Sequence, residues 1–170
     1  TFSNTKALQS WCREIAFIAE PAVVLIATHG SPKGLQVGDQ TIGAKDMATS
    51  LRYATNIKLL HFSSCLIMKD RVSTELLREL GADNSFPISG YTRAVDWAAS
   101  AVIEFMYYDL ILSRNLAPKI AAAKLLKLLP FAGASPIPGA PFESAGFKFI
   151  DPRDFRQMKD RKPRKAPKSQ

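Results

Sequence analysis

An imidazole and a thiol stand at the ends of two short apolar runs: His29-Gly30 closes the run Ala22 to Ala27, and Cys65 closes Ile57 to Ser63. Runs of this length rich in Val and Ile read as strands, and the unbroken apolarity of the first fits a strand covered on both faces of a parallel sheet. Ligands of such sheets bind beyond the carboxyl ends of the strands. Neighbouring strands lie about 4.8 Å apart, so residues just past two strand ends can bring an imidazole near a thiol. A histidine that accepts the thiol proton turns cysteine into an effective nucleophile. Attack on an amide carbonyl then builds an oxyanion, which needs preorganised donors. Gly30 lets its backbone approach closely, and the amide of Cys65 offers a second donor. The expected site is therefore His29 as base, Cys65 as nucleophile, and Gly30 with Cys65 as oxyanion hole. His61 precedes Cys65 by four residues in the same strand, about 13 Å away at ~3.3 Å per residue, and is set aside as a base.

The elements that must position these groups alternate. Asn4 to Glu20 carries Leu8, Trp11, Ile15 and Ile18 at helical spacing, with Ser3 or Asn4 as N-cap and Pro21 as the stop. Thr28 to Pro32 breaks the first strand, and Leu35 to Ile42 contains Gly38-Asp39, a hairpin dipeptide. Helices are expected at Ala44 to Thr55, Arg71 to Leu80 with Gly81 as C-cap, Ala94 to Leu112, and Pro118 to Leu129. Phe86 to Ser89 reads as a third short strand, Phe131 to Gly146 as a loop, and Phe147 to Ile150 as a last edge strand. Alternating strands and helices predict an α/β domain with a mostly parallel sheet. Three core strands are fewer than such sheets usually hold, which predicts that one or two N-terminal strands are lacking.

Composition agrees with a single domain: 170 residues, 46% hydrophobic, form one ordinary core. The net charge of +8 is uneven, because Asp151 to Gln170 holds eight Lys/Arg against three Asp. That segment, with Phe155 and Met158 as its only large apolar residues, lacks the apolar surface to order itself. The domain is thus expected to span 1–150, with 151–170 a basic, disordered tail. The tail is read as solvated chain, in preference to a nucleic-acid-binding surface. Two cysteines make no disulfide framework and no secretory leader is evident, so a reduced, cytoplasmic setting is expected. Thr1 in place of an initiator Met points to processing or to a longer parent chain. Ala94 to Leu112 is long enough to cross a bilayer, but Asp96, Glu104 and Asp109 interrupt it, and a helix buried in the core is expected instead.

The run Val23 to Gly30, the hairpin at Leu35 to Ile42, and Leu59 to Cys65 resemble the core of caspase-like cysteine peptidases, in particular the bacterial CHAT-type domains. Ile88 to Trp97 resembles the strand and following helix that end that core, so the likeness covers about Ala22 to Leu112. It implies a three-layer α/β/α fold and cleavage of a peptide bond through a thioester. His29 would be the general base, Cys65 the nucleophile and Gly30 part of the oxyanion hole. Caspase-type nucleophile loops commonly place a Gly soon after the Cys, whereas here Leu66 to Asp70 follows and no Gly occurs until Gly81. Relatives that cut after Arg or Lys use an acidic pocket, often with an Asp shortly before the Cys. Ser63 and Ser64 hold those places here, leaving Asp96 or Asp70 to supply the charge, with Asp96 also suited to capping its helix.

No cofactor is expected. Gly30 to Gly34 lacks the spacing of a phosphate loop, and Cys12, His29, His61 and Cys65 form no zinc pattern. The partners expected are a protein or peptide substrate and further domains of a longer chain, with no membrane. The alternative reading is a catalytically inactive module of the same kind, serving as a protein-binding or regulatory scaffold.

Overall fold

The computed structural model describes residues 3–69, 71–81 and 86–154. The expected tail, apart from residues 151–154, and Asp70 lie outside the described residues.

Strands β1 (Ala22–Ala27), β5 (Ile57–Ser63), β6 (Ile88–Tyr91) and β7 (Phe147–Ile150) form one sheet in that order. The first three are parallel and β7 runs antiparallel against β6. Helices α1 (Thr5–Ile15), α2 (Ala44–Leu51) and α3 (Val72–Leu80) cover one face through Leu8, Cys12, Met47, Leu51, Leu76 and Leu77, packed on Ile26, Leu60, Phe62 and Ile88. Right-handed crossovers stepping one way across a sheet place their helices on a single side, as α2 and α3 are placed. Helices α4 (Trp97–Tyr108) and α5 (Pro118–Leu128) cover the other face, where Ile103, Tyr107 and Leu125 pack with Leu59, Tyr91 and Phe147. The result is a three-layer α/β/α arrangement with a mostly parallel sheet.

Local signals decide most boundaries. Asn4 caps α1, its Oδ1 accepting from the Ala7 N–H at 2.9 Å. Gly81, at φ 76°, ends α3 as expected. Asp96 caps α4 and so sets its start at Trp97, three residues later than the apolar pattern indicated. A π-helical turn, Asp109–Ser113, ends it. Strand β6 is also shifted, to Ile88–Tyr91, because pairing with β5 and β7 overrides the local pattern.

Three expectations are corrected. Strand β1 is not covered on both faces: it is an edge strand, with Leu25 46% exposed and Ala27 exposed, although Val23 packs on the α4–α5 core. Helix α4 is not buried all round, since Trp97 (87% exposed) and Phe105 (79%) line a solvent-facing flank. The segment after β1 does not simply break the strand. His29–Ser31 is a strand, β2, which pairs with β3 (Gly34–Val37), and β3 pairs with β4 (Gln40–Ile42) across the predicted Gly38-Asp39 turn. Trp11 and Ile18 are about half exposed, while Leu8 and Cys12 are the buried residues of α1. No helix among the described residues is long and apolar enough to cross a membrane.

The junction between α1 and β5 rests on Asn56, whose Nδ2 donates to the carbonyls of Ile15 (3.1 Å), Ile18 (2.8 Å) and Glu20 (3.3 Å). This one amide gathers three carbonyls where α1 unwinds ahead of β1. Asn56→Ala is expected to destabilise the fold by about 1–3 kcal/mol, measured as a shift of the urea unfolding midpoint at unchanged slope.

Candidate active site

The parallel register of β1 on β5 ends with Ala27 opposite Ser63. His29 and Cys65 each stand two residues beyond that pair, at equivalent steps past the carboxyl ends of neighbouring strands. Both line one cavity of about 300 Å³, together with Thr28, Ser63, Val95 and Trp97. His29 is exposed and Cys65 half-buried. The structure therefore brings the predicted base and nucleophile to the same opening, with no direct hydrogen bond between them among the described residues.

Two features hold the thiol in place. The Val95 N–H donates to Cys65 Sγ at 3.5 Å, fixing the side chain between β5 and the entry to α4. The Ser64 hydroxyl reaches back to the Ile26 carbonyl at 3.4 Å, tying the end of β5 to β1. Gly30 packs directly on this turn. A Cβ there would strike the Cys65 carbonyl oxygen and come within 3.0 Å of Ser64 Cβ. The glycine is thus required by the close passage of β2 over the Cys65 turn. The Cys65 N–H has no acceptor among the described residues, which leaves it available to a ligand.

After Cys65 the chain turns through Leu66, one of two described non-glycine residues at positive φ (63°). A β-carbon in this region costs about 1–2 kcal/mol. The turn is held by the Leu66 N–H to the Arg93 carbonyl (3.2 Å), the Met68 N–H to the Tyr91 carbonyl (3.1 Å), and the complete burial of Ile67 and Met68. Leu66 adopts the conformation that a glycine would supply without strain.

Asp96 lies beside the cavity but is occupied at its helix. Its Oδ1 accepts from the N–H groups of Ala98 (2.9 Å) and Ala99 (3.2 Å), the capping role weighed against substrate binding. Trp97 stands at the rim and Tyr91 is buried in the core.

His61 is fully buried and does not line the cavity. Its Nδ1 is 2.8 Å from Ser89 Oγ and its Nε2 is 3.4 Å from Glu104 Oε1. The Tyr91 hydroxyl donates to the same Glu104 oxygen at 3.0 Å. Sequence reasoning missed this network. The signal available was Glu104 itself, the lone acid in the middle of an apolar helix, which must face polar partners if it is not to be buried unpaired. Burial pushes the Glu104 carboxyl up, but the His61 imidazole and the hydroxyls of Ser63 and Tyr91 outweigh it, leaving the carboxyl below its ordinary value and ionised. Burial, together with the nearby Glu104 charge, pushes the Tyr91 and Tyr108 hydroxyls well up, so both stay neutral. Among the described residues no group of His, Cys, Asp and Glu is arranged to hold a metal ion.

No protein-family model matches the chain, and no curated protein matches it.

Gly30→Ala is expected to cost about 1–3 kcal/mol in chemical denaturation, since the obstacle is backbone and not a flexible side chain. Leu66→Gly, which relieves the positive φ but loses side-chain contacts and frees the unfolded chain, should stay within about 1 kcal/mol of the parent. The depressed Glu104 carboxyl stabilises the fold fully above its unfolded value of about 4.3, and that contribution is lost as pH falls through the lower folded value. Glu104→Gln should therefore flatten the loss of thermal stability on acidification below about pH 4.5.

Proposed function

We propose that this domain is a caspase-like cysteine peptidase that cleaves peptide bonds with Cys65 and His29. The observation that carries the reading is the convergence of the two side chains on one cavity at the carboxyl ends of paired strands. In the first step His29 takes the Cys65 thiol proton as Sγ bonds to the scissile carbonyl carbon. The carbonyl π electrons move to oxygen, where the unengaged Cys65 N–H and the backbone at Gly30 receive the negative charge. Collapse of this intermediate breaks the C–N bond, and the imidazolium passes its proton to the departing amine. The acyl group is then held as a thioester on Cys65. Water attacks that thioester as His29 removes its proton, and breaking of the C–S bond releases the carboxylic acid and returns the proton to sulfur.

A catalytically silent scaffold is the second reading, and the absence of a His29–Cys65 hydrogen bond among the described residues favours it. Catalytic hydrogen bonds of this type are often long in the unliganded state and tighten with substrate, so the peptidase reading is preferred. The protein is expected to work in a cytoplasmic, reducing setting, on a protein or peptide substrate and with further domains of a longer chain.

Alkylation separates the two readings. Cys12 is buried and its thiol is pushed up to about 11 by that burial, so it provides an internal unreactive control. Iodoacetamide near neutral pH should modify Cys65 first, and His29→Ala should slow that reaction by about tenfold or more. Equal modification of Cys12 and Cys65, unchanged by His29→Ala, overturns the dyad.

A further inference from the structure

We propose that the outer face of helices α4 and α5 is a docking surface for an anionic lipid bilayer, lying on the headgroups with its apolar side chains inserted and its lysines on the lipid anions. The inference is independent of the peptidase reading of His29 and Cys65. It departs from the sequence expectation of no membrane partner: Glu104 and Asp109 bar α4 from crossing a bilayer, but a helix lying in the interface needs no span.

Apolar surface is concentrated on this side of the molecule. Seven of the thirteen large apolar side chains exposed among the described residues lie between Trp97 and Leu128, on two helices that pack against the same face of the sheet. On α4 the exposed positions Ala98, Ala101, Val102 and Phe105 keep the i, i+3, i+4, i+7 spacing of one helix face and include no polar side chain. Leu112 in the π-helical turn is 63% exposed and Ile120 on α5 is 57% exposed. The inner sides of both helices already face the core through Ile103, Tyr107, Ala121 and Leu125, so nothing within the domain covers the outer one. Apolar surface gathered in this way and bordered by charge marks an interaction site.

Charge identifies the partner. Between Trp97 and Leu129 the only acids are Glu104 and Asp109. Glu104 turns inward to His61 and Tyr91, and Asp109 binds Arg114 at 2.7 Å. Lys124 and Lys127 are exposed on α5 and have no carboxylate partner among the described residues. Lys119 pairs with Asp154, which brings the end of the described chain to the start of α5. From there residues 155–170 add seven Lys/Arg against one Asp. The face is therefore apolar and cationic with no unengaged acid on either helix, the pattern of helices that lie on anionic lipid. A second copy of the chain fits it poorly, because a two-fold contact would bring these lysines toward one another with no acid to pair them. On lipid, the lysine stems hold their ammonium groups at headgroup level while Phe105 and Leu112 enter the acyl boundary. Trp97, 87% exposed at the start of α4, has a ring suited to that interface and also forms the rim of the Cys65 cavity.

The test is sedimentation of the full chain with vesicles of phosphatidylcholine alone and of phosphatidylcholine mixed with phosphatidylserine. The mixed vesicles should bind at least about tenfold more tightly, and the difference should shrink as salt is raised. Phe105→Ser with Leu112→Ser, and separately Lys124→Glu with Lys127→Glu, should each weaken that binding about tenfold. A second measurement leaves the face intact: Trp11→Phe makes Trp97 the sole indole, and its emission should move to shorter wavelength on the mixed vesicles as the ring leaves water. No binding to the mixed vesicles, an unmoved Trp97 emission on binding, or binding insensitive to either pair of substitutions overturns the proposal. Binding that is lost when the Lys and Arg of residues 156–168 are changed to Gln, yet survives Phe105→Ser with Leu112→Ser, belongs to the tail alone and also overturns it. So does self-association abolished by Phe105→Ser with Leu112→Ser in protein that binds no vesicle, which assigns the face to a second copy.

Discussion

Strand β5 is buried along nearly its whole length, with Leu60 and Phe62 against the α1–α3 layer and Leu59 and His61 against the α4–α5 layer. Its register against β1 is the constraint from which the site follows. A slip of one residue would exchange the two faces, putting His61 among Met47 and Leu76 and leaving Leu60 to face Glu104. The same slip would move Cys65 off the level of His29. Hydrophobic sorting of the two faces of β5 thus fixes the level at which the imidazole and the thiol emerge.

The turn beyond β5 shows how the fold spends that precision. Gly30 allows β2 to pass directly over the Cys65 carbonyl, and Leu66 carries the chain away through a strained conformation. The strain is offset by backbone bonds to the β6 exit and by burial of Ile67 and Met68. Strained residues persist where the surroundings over-determine them, and functional turns are frequent among such places.

Helix α4 serves two purposes with one apolar sequence. Ile103 and Tyr107 build the second core, while Glu104 between them turns to His61 and Tyr91. Another flank, with Trp97 and Phe105, is open to solvent. A helix hydrophobic on all sides is ordinarily enclosed, which is why its pattern predicted full burial.

Sequence alone determined the strands β1, β5 and β7, the Gly38-Asp39 turn, the Gly81 cap and the α/β class, and narrowed the α1 cap to Ser3 or Asn4, because short-range periodicity and backbone chemistry specify these locally. It also placed His29 and Cys65 at strand ends. Only the tertiary structure decided that β1 lies at an edge and that His29 belongs to a strand of a second sheet. It likewise decided that Ser63, Val95, Trp97 and Ser100 share a cavity and that Glu104 meets His61 and Tyr91. These depend on contacts between residues tens of positions apart, and their energies come from pairing, burial and desolvation that no local pattern records.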